Sequence, residues 1–322
     1  MTSQPRGTRG PLQVERQSGF WFARLSRPDK RNALSDELVA ALGALWERIA
    51  ADLEARALVL YGQGGNFCAG ADFARFLELM QSAPGHAEDP IAQYNRQFGA
   101  MLEGLAALPV PTLAVVTGAA MGGGCGLAAA CDRVVAAEDA FFAMPEVVLG
   151  VAPAQIAPFI VRRLGATRAR WLMLSASRLT GAAAREAGLA DAVVPTAELQ
   201  VAVEAELRRL AAAEPSALRA TKRIVTGALE TPLPAALDAA ALEFAGLVEL
   251  LPQHELFERG GSTTAVPLGP RRGNQPRFSQ RGAPPRDPAR DGALGNVQHG
   301  GDLSLRVAVD GIEQERRPRA CI

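Results

Sequence analysis

The sequence predicts an α/β fold on three observations. Short apolar runs alternate with segments of helical period through the first half, the second half is helical almost throughout, and two apolar runs lead straight into glycine turns. The larger of these turns lies in Gly118-Ala119-Ala120-Met121-Gly122-Gly123-Gly124-Cys125-Gly126-Leu127-Ala128-Ala129-Ala130-Cys131-Asp132, where an apolar strand meets three glycines that open a helix. Glycine lets the chain turn tightly and lets a ligand atom rest against bare N–H groups, and a helix starting there adds the positive end of its dipole. The segment Asn66-Phe67-Cys68-Ala69-Gly70-Ala71-Asp72, which follows an apolar run at 57–61, repeats that logic. Two amide donors can thus converge on one oxygen.

Element by element, alternating Phe20, Phe22 and Leu25 mark a first strand. Ser35 caps a helix whose apolar face is Leu38, Leu42, Leu45 and Ile49. Residues 57–61 read as a buried strand, 72–80 and 91–108 as helices, and 112–117 as a strand set off by Pro109 and Pro111. Further strands are expected at 133–136 and around Phe141. From Ala154 the period turns helical, through 163 and then over 169–175, 182–187, 198–213, 216–229 and 234–250.

With 322 residues, 48% hydrophobic and 21% charged, the chain can bury a full core, which fits one large domain with appendages. The formal net charge is +0, so no overall field draws it to nucleic acid or to a membrane surface, and nucleic acid is not expected as a partner. Cys68, Cys125, Cys131 and Cys321 follow no metal or disulfide spacing. No signal-peptide core and no uncharged run of membrane-spanning length is seen, and a reducing cytoplasm is the expected compartment. Beyond about Arg259 the chain becomes rich in Gly, Pro, Arg and Gln without helical period, and disorder is expected there, apart from a short alternating run at 303–309. An RNA-binding tail is the functional alternative to a poorly selected extension. The expected organisation is an extension at 1–17, a core at 18–195, a helical region at 196–257 and a tail at 258–322.

Four motifs carry a family resemblance: Arg27-Pro28-Asp29-Lys30-Arg31-Asn32-Ala33-Leu34, Phe67-Cys68-Ala69-Gly70-Ala71-Asp72, the Gly122-Gly123-Gly124 block ending in Cys131-Asp132, and Pro145-Glu146-Val147-Val148-Leu149-Gly150. Together, over residues 18–257, the chain resembles the enoyl-CoA hydratase/isomerase (crotonase) superfamily. The resemblance implies a spiral of ββα turns, a C-terminal helical trimerisation region, and a homotrimer or dimer of trimers. It also implies an acyl-CoA thioester whose carbonyl oxygen lies in an oxyanion hole between the amides of Ala71 and Gly123. No cofactor and no metal are implied, since coenzyme A is part of the substrate. Lys30, Arg31 and Ala33 resemble the family's CoA-contacting loop, and Cys68, Ala69, Gly70 and Asp72 complete the implied binding set.

Attack on an enoyl thioester, or loss of a proton beside its carbonyl, drives negative charge onto the thioester oxygen, which two placed donors stabilise. Glu146 matches the family's second catalytic carboxylate and is the expected base. Gly126 stands where classical hydratases carry another Glu, so one carboxylate must hydrate a double bond or shift it. Asp72 is a conceivable second group, but at a helix start it serves the cap and dipole better. The segment Gly150-Val151-Ala152-Pro153-Ala154-Gln155-Ile156-Ala157-Pro158-Phe159, with Gly126, resembles the hydratases of 3-methylglutaconyl-CoA and isohexenylglutaconyl-CoA. That likeness implies a substrate with a second carboxylate, for which Gln155 and Arg75 are candidate contacts. The expectation is a hydro-lyase. A Δ3,Δ2-enoyl-CoA isomerase is the alternative within the family, and an inactive binding or assembly protein the alternative outside it.

Overall fold

The computed structural model describes residues 10–72 and 90–249. A six-stranded sheet orders its strands β1-β2-β3-β4-β6-β9, and a three-stranded sheet orders β5-β7-β8. In the large sheet β1 (Leu12–Gln17) runs antiparallel to β2 (Phe20–Leu25), and every later pairing, through β3 (Ala57–Gly62), β4 (Thr112–Val116), β6 (Arg133–Ala137) and β9 (Ala192–Val194), is parallel. The small sheet pairs β5 (Ala119–Met121) in parallel with β7 (Phe141–Ala143), which pairs antiparallel with β8 (Leu179–Thr180).

The chain winds as a spiral because each pass contributes in turn to the large sheet, the small layer and a helix. The first pass is β2, then Leu34, which bridges to Ala71, then α1 (Asp36–Ala51). The second is β3 followed by Cys68, which bridges to Ala120 of β5. The third is β4, β5 and α3 (Gly123–Ala130), and the fourth β6, β7 and then α4 (Ala157–Leu164) and α5 (Ala166–Ser175). Between the second and third, α2 (Pro90–Ala106) lies against α1, where the buried Trp46 Nε1 donates to the Met101 carbonyl at 3.0 Å.

Strand alternation divides the core in two. Leu58, Leu60, Ala114, Val116, Val134 and Ala136 face Leu38, Leu42, Leu45 and Ile49 of α1, all buried as their spacing requires. Ser35 caps that helix as expected, its hydroxyl accepting from Leu38 N–H at 3.3 Å. The opposite face, with Phe20, Phe22, Val59, Tyr61, Leu113 and Val135, is covered by Leu199, Val203, Leu207 and Ala211 of α7 (Leu199–Ala212). Each buried Val, Leu, Ile or Phe among them contributes about 1.5–3 kcal/mol of apolar burial. After α6 (Gly181–Ala187) and α7 come α8 (Pro215–Glu230) and α9 (Leu233–Glu249), joined by two hydrogen bonds from Arg223 to Glu243, at 2.7 and 2.6 Å.

Strand β1 pairs along its whole length with β2, and α7 covers the outer face of the large sheet. Of the helix expected over 72–80, all but Asp72 lies outside the described residues, as do Arg75 and the expected tail at 258–322. No described helix is long and apolar enough to cross a membrane, and no described group of His, Cys, Asp and Glu could hold a metal ion.

Candidate functional site

A knot of buried polar contacts fixes the first motif. Asn32, 0% exposed and at φ 57°, donates from Nδ2 to the carbonyls of Gln63 (2.9 Å) and Asn66 (2.7 Å), and its Oδ1 accepts from Arg27 N–H at 2.9 Å. The Arg27 guanidinium donates to the Ala33 carbonyl and, at 2.9 Å, to the Asp72 carboxylate. Asp72 is thus engaged in an ion pair that ties the end of the second motif to the first.

Between these anchors the chain from Ala69 to Ala71 lies along Leu34. Leu34 N–H donates to Gly70 C=O at 2.8 Å, and Asp72 N–H donates to Leu34 C=O at 3.1 Å. A parallel bridge uses the groups flanking its central residue, so the N–H of Ala71 points away from Leu34, and no described group accepts it. The third motif comes alongside. A Cβ on Gly70, which has φ 93°, would lie 3.4 Å from Gly123 N. Gly123 is the first residue of α3, where the opening N–H groups have no partner within the helix, and no described group accepts its N–H either. Gly122 precedes it at φ 48°, a conformation that favours glycine.

The fourth motif closes the arrangement. Glu146 opens a 3-10 turn, Glu146–Leu149, after Pro145, and its Oε1 would meet a Cβ on Gly122 at 2.8 Å, so only glycine admits the carboxylate. Its Oε2 is buried and no described group hydrogen-bonds to it. Burial raises the Glu146 carboxyl above the usual carboxylate range, with its own backbone N–H in partial opposition. Ala69, Gly70, Ala71, Gly122, Gly123 and Glu146 all line one cavity of about 1220 Å³, otherwise walled largely by apolar side chains such as Val39, Trp46, Phe98, Met101 and Leu149.

The structure thus brings Ala69, Gly70, Ala71, Gly123, Glu146 and Gln155 to one cavity, and leaves other candidates elsewhere. Lys30 and Arg31 are exposed on a separate turn, and neither they nor Ala33 line the cavity. Cys68 is fully buried beneath it, and burial pushes its thiol, like that of Cys131, up to about 12 and raises Cys125 likewise. Asp132, which ends the glycine motif, is structural: it accepts from the Thr112 N–H (2.8 Å) and hydroxyl (3.0 Å) and from Lys222 (2.6 Å). Sequence reasoning missed the cavity-lining Asn95 of α2, for which no local signal exists. It also missed what stands opposite Gly126. A Cβ there would meet Ile156 Cγ2 at 2.4 Å and Leu102 Cδ1 at 3.3 Å, so apolar side chains already fill the space.

A wound ββα chain with two outward amides and a buried carboxylate in one cavity defines a class of enzyme, and comparison with known proteins names it. Residues 15–252 match the family model described as Enoyl-CoA hydratase/isomerase. The chain belongs to the enoyl-CoA hydratase/isomerase family and is an enzyme of it. It is 38% identical over 215 residues to Enoyl-CoA hydratase AFT6-1 of Alternaria alternata, covering 66% of this chain and 68% of the relative. For Enoyl-CoA hydratase ACTT6 of the same organism the identity is 38%, over 59% of this chain and 61% of the relative. Among solved structures, an enoyl-CoA hydratase/isomerase from Marinobacter aquaeolei aligns with a TM-score of 0.74 and 35% identity, covering 78% of this chain and 96% of that one. The fold is the crotonase fold.

Proposed function

We propose that the chain adds water across the double bond of a branched, carboxylated enoyl-CoA of the 3-methylglutaconyl or isohexenylglutaconyl type. The observation that carries this reading is the buried Oε2 of Glu146 in the same cavity as the N–H groups of Ala71 and Gly123, none of which has a hydrogen-bond partner among the described residues. The two N–H groups form the oxyanion hole and hold the thioester oxygen. Glu146 takes a proton from water as the oxygen of that water bonds to the β-carbon, and the π electrons move through the α-carbon onto the thioester oxygen. The enolate then collapses as Glu146 returns the proton to the α-carbon on the same face, so atoms and charge balance with a single carboxylate. Lys30, Arg31 and Ala33 are assigned to the coenzyme A end, which lies outside the acyl cavity. Helix α9, with Leu233, Leu237, Leu242 and Phe244 exposed, is assigned to association into a homotrimer or dimer of trimers.

One observation favours a second reading. With the space beside Gly126 filled by Ile156 and Leu102, no second carboxylate faces Glu146 from that position, and one carboxylate suffices to carry a proton between the α- and γ-carbons of a Δ3-enoyl-CoA. A panel of CoA thioesters assayed with wild type and Glu146→Gln separates the two. Hydration consumes the conjugated enoyl chromophore, whereas isomerisation of a Δ3 substrate creates it. Turnover of every thioester at wild-type rate by Glu146→Gln would refute both, and turnover of none by the wild type would favour an inactive binding protein.

A further inference from the structure

From the N–H of Gly123 the cavity extends as an arm between α1 and α2. Its near end is fixed by Leu34, just before α1, and Phe98 of α2: a Cβ on Gly123 would lie 2.9 Å from Leu34 Cδ1 and 3.0 Å from Phe98 Cζ. Its far end is fixed by Trp46 of α1. The Cδ1 of that ring would lie 3.2 Å from a Cβ on Gly104 of α2, and its Nε1 donates to the Met101 carbonyl at 3.0 Å. Between these ends Val39, Gly43 and Trp46 turn one face of α1 to the cavity, and Phe98, Met101 and Gly104 turn one face of α2 to it. From Phe98 to Gly104 the helix rises about 9 Å. An extended chain of carbon bonds about 1.5 Å long advances roughly 1.3 Å per atom, so the arm has the length of about seven carbons.

Packing within the protein does not account for Gly43. Of the glycines that line the cavity, Gly70, Gly104, Gly122 and Gly123 each have a protein atom within 3.2 Å of the place a Cβ would take, whereas at Gly43 no described group lies within 4 Å. Gly43 stands in the interior of α1, where glycine is the least favourable residue apart from proline, and no positive φ requires it. What the missing side chain leaves is room in the arm. The charged side chains lining the cavity among the described residues are Asp36, Glu47 and Glu146, all acidic, so an apolar arm edged by them takes an uncharged chain. We infer that the arm between α1 and α2 holds an uncharged, apolar tail of the acyl chain, about seven carbons beyond the thioester carbonyl, and that Gly43 sets the length it accepts. The inference rests on the proposed acyl-CoA reading, and a carboxylate elsewhere on the substrate lies outside this arm.

The test uses octanoyl-CoA and butyryl-CoA, saturated thioesters that bind without reacting and differ only in chain length. Calorimetric titration of the full chain is expected to give at least about tenfold tighter binding of octanoyl-CoA. Suberyl-CoA, of the same length but ending in a carboxylate, is expected to bind more weakly than octanoyl-CoA. Gly43→Leu, which favours the helix and sends its side chain into the arm, is expected to cut the preference for the longer chain by at least about fivefold. Ala44→Leu, on the exposed side of the same helix, is expected to keep that preference. Equal affinities in the wild type, a preference unchanged in Gly43→Leu, or an equal loss in Ala44→Leu would overturn the inference, and tighter binding of suberyl-CoA than of octanoyl-CoA would overturn the uncharged tail. Chemistry is read separately, by turnover of crotonyl-CoA and trans-2-octenoyl-CoA. A protein that turns over crotonyl-CoA yet binds both saturated thioesters equally refutes the arm alone, whereas one whose preference follows Gly43 but which turns over neither enoyl-CoA refutes the parent reading alone.

Discussion

Glu146 is held where a carboxylate is least comfortable, with one oxygen buried and no described donor to satisfy it. Because burial raises its pKa, the folded chain keeps a proton there at pH values where the unfolded chain has lost it. That contribution to stability is present below the ordinary carboxylate range and is lost as pH rises through the raised folded value. At neutral pH the ionised group therefore lowers stability, so Glu146→Gln is expected to melt at a higher temperature than wild type at pH 8, with the difference vanishing toward pH 4, by calorimetry. The same variant is expected to lose about 10²–10⁴-fold in kcat. In the wild type, the acid limb of the activity profile is expected above the ordinary carboxylate range, since Glu146 in its proposed role as base works only when ionised. A variant Gly123→Pro deletes one donor at the first position of α3, where the φ of proline suits the helix although the Leu34 and Phe98 side chains must give way, and is expected to lose at least about 10²–10³-fold in kcat, with circular dichroism checking that the fold is kept.

Among the elements, the loop before α1 is pinned by Asn32 together with Arg27. Replacement of Asn32 by alanine would strip two part-buried carbonyls and one N–H of their partners and place a poorly suited residue at φ 57°. Urea unfolding is expected to show a loss of about 2–4 kcal/mol. The longer elements were legible because period and punctuation agree: α1 from its Ser35 cap and its i, i+4 leucines, β3 and β4 from uninterrupted apolar runs, α6 to α9 within a residue or two of their ends. Three strands were not: β1, Leu12-Gln13-Val14-Glu15-Arg16-Gln17, lies at the sheet edge with only two apolar residues, and β8 and β9 are too brief to show alternation. The site divides the same way. Ala71, Gly123 and Glu146 stand in recognisable motifs, whereas Ile156 against Gly126 and Gln155 on Gly99 are contacts between distant segments, which no local pattern encodes.

For the molecule as a whole, the unburied apolar residues of α9 form a surface that nothing among the described residues covers. Leu237, Leu242 and Phe244 are each more than half exposed, at 61%, 76% and 68%. Side chains of that size left in water mark an interface, and subunit association is the proposed use. Light scattering is expected to show dissociation for Phe244→Asp and for a chain ending before Pro234. A chain ending after Gly260 is expected to keep both assembly and activity. If that last truncation dissociates, the boundary of the working protein lies further along the chain.

The N–H groups of Ala71 and Gly123 belong to the main chain, so no codon other than one for proline can delete them. A saturation mutagenesis screen for activity should therefore look inverted around this site. Ala71, which is exposed, should accept most replacements. Its silent neighbours should not: side chains at Gly70, Gly122 and Gly124 would run into the Met121 carbonyl at 2.8 Å, the Glu146 carboxylate at 2.8 Å and the Cys68 carbonyl at 2.2 Å. The inherited information for these donors is written in the residues that must lack a side chain, and the wall of the cavity beside them is free to drift without disturbing them.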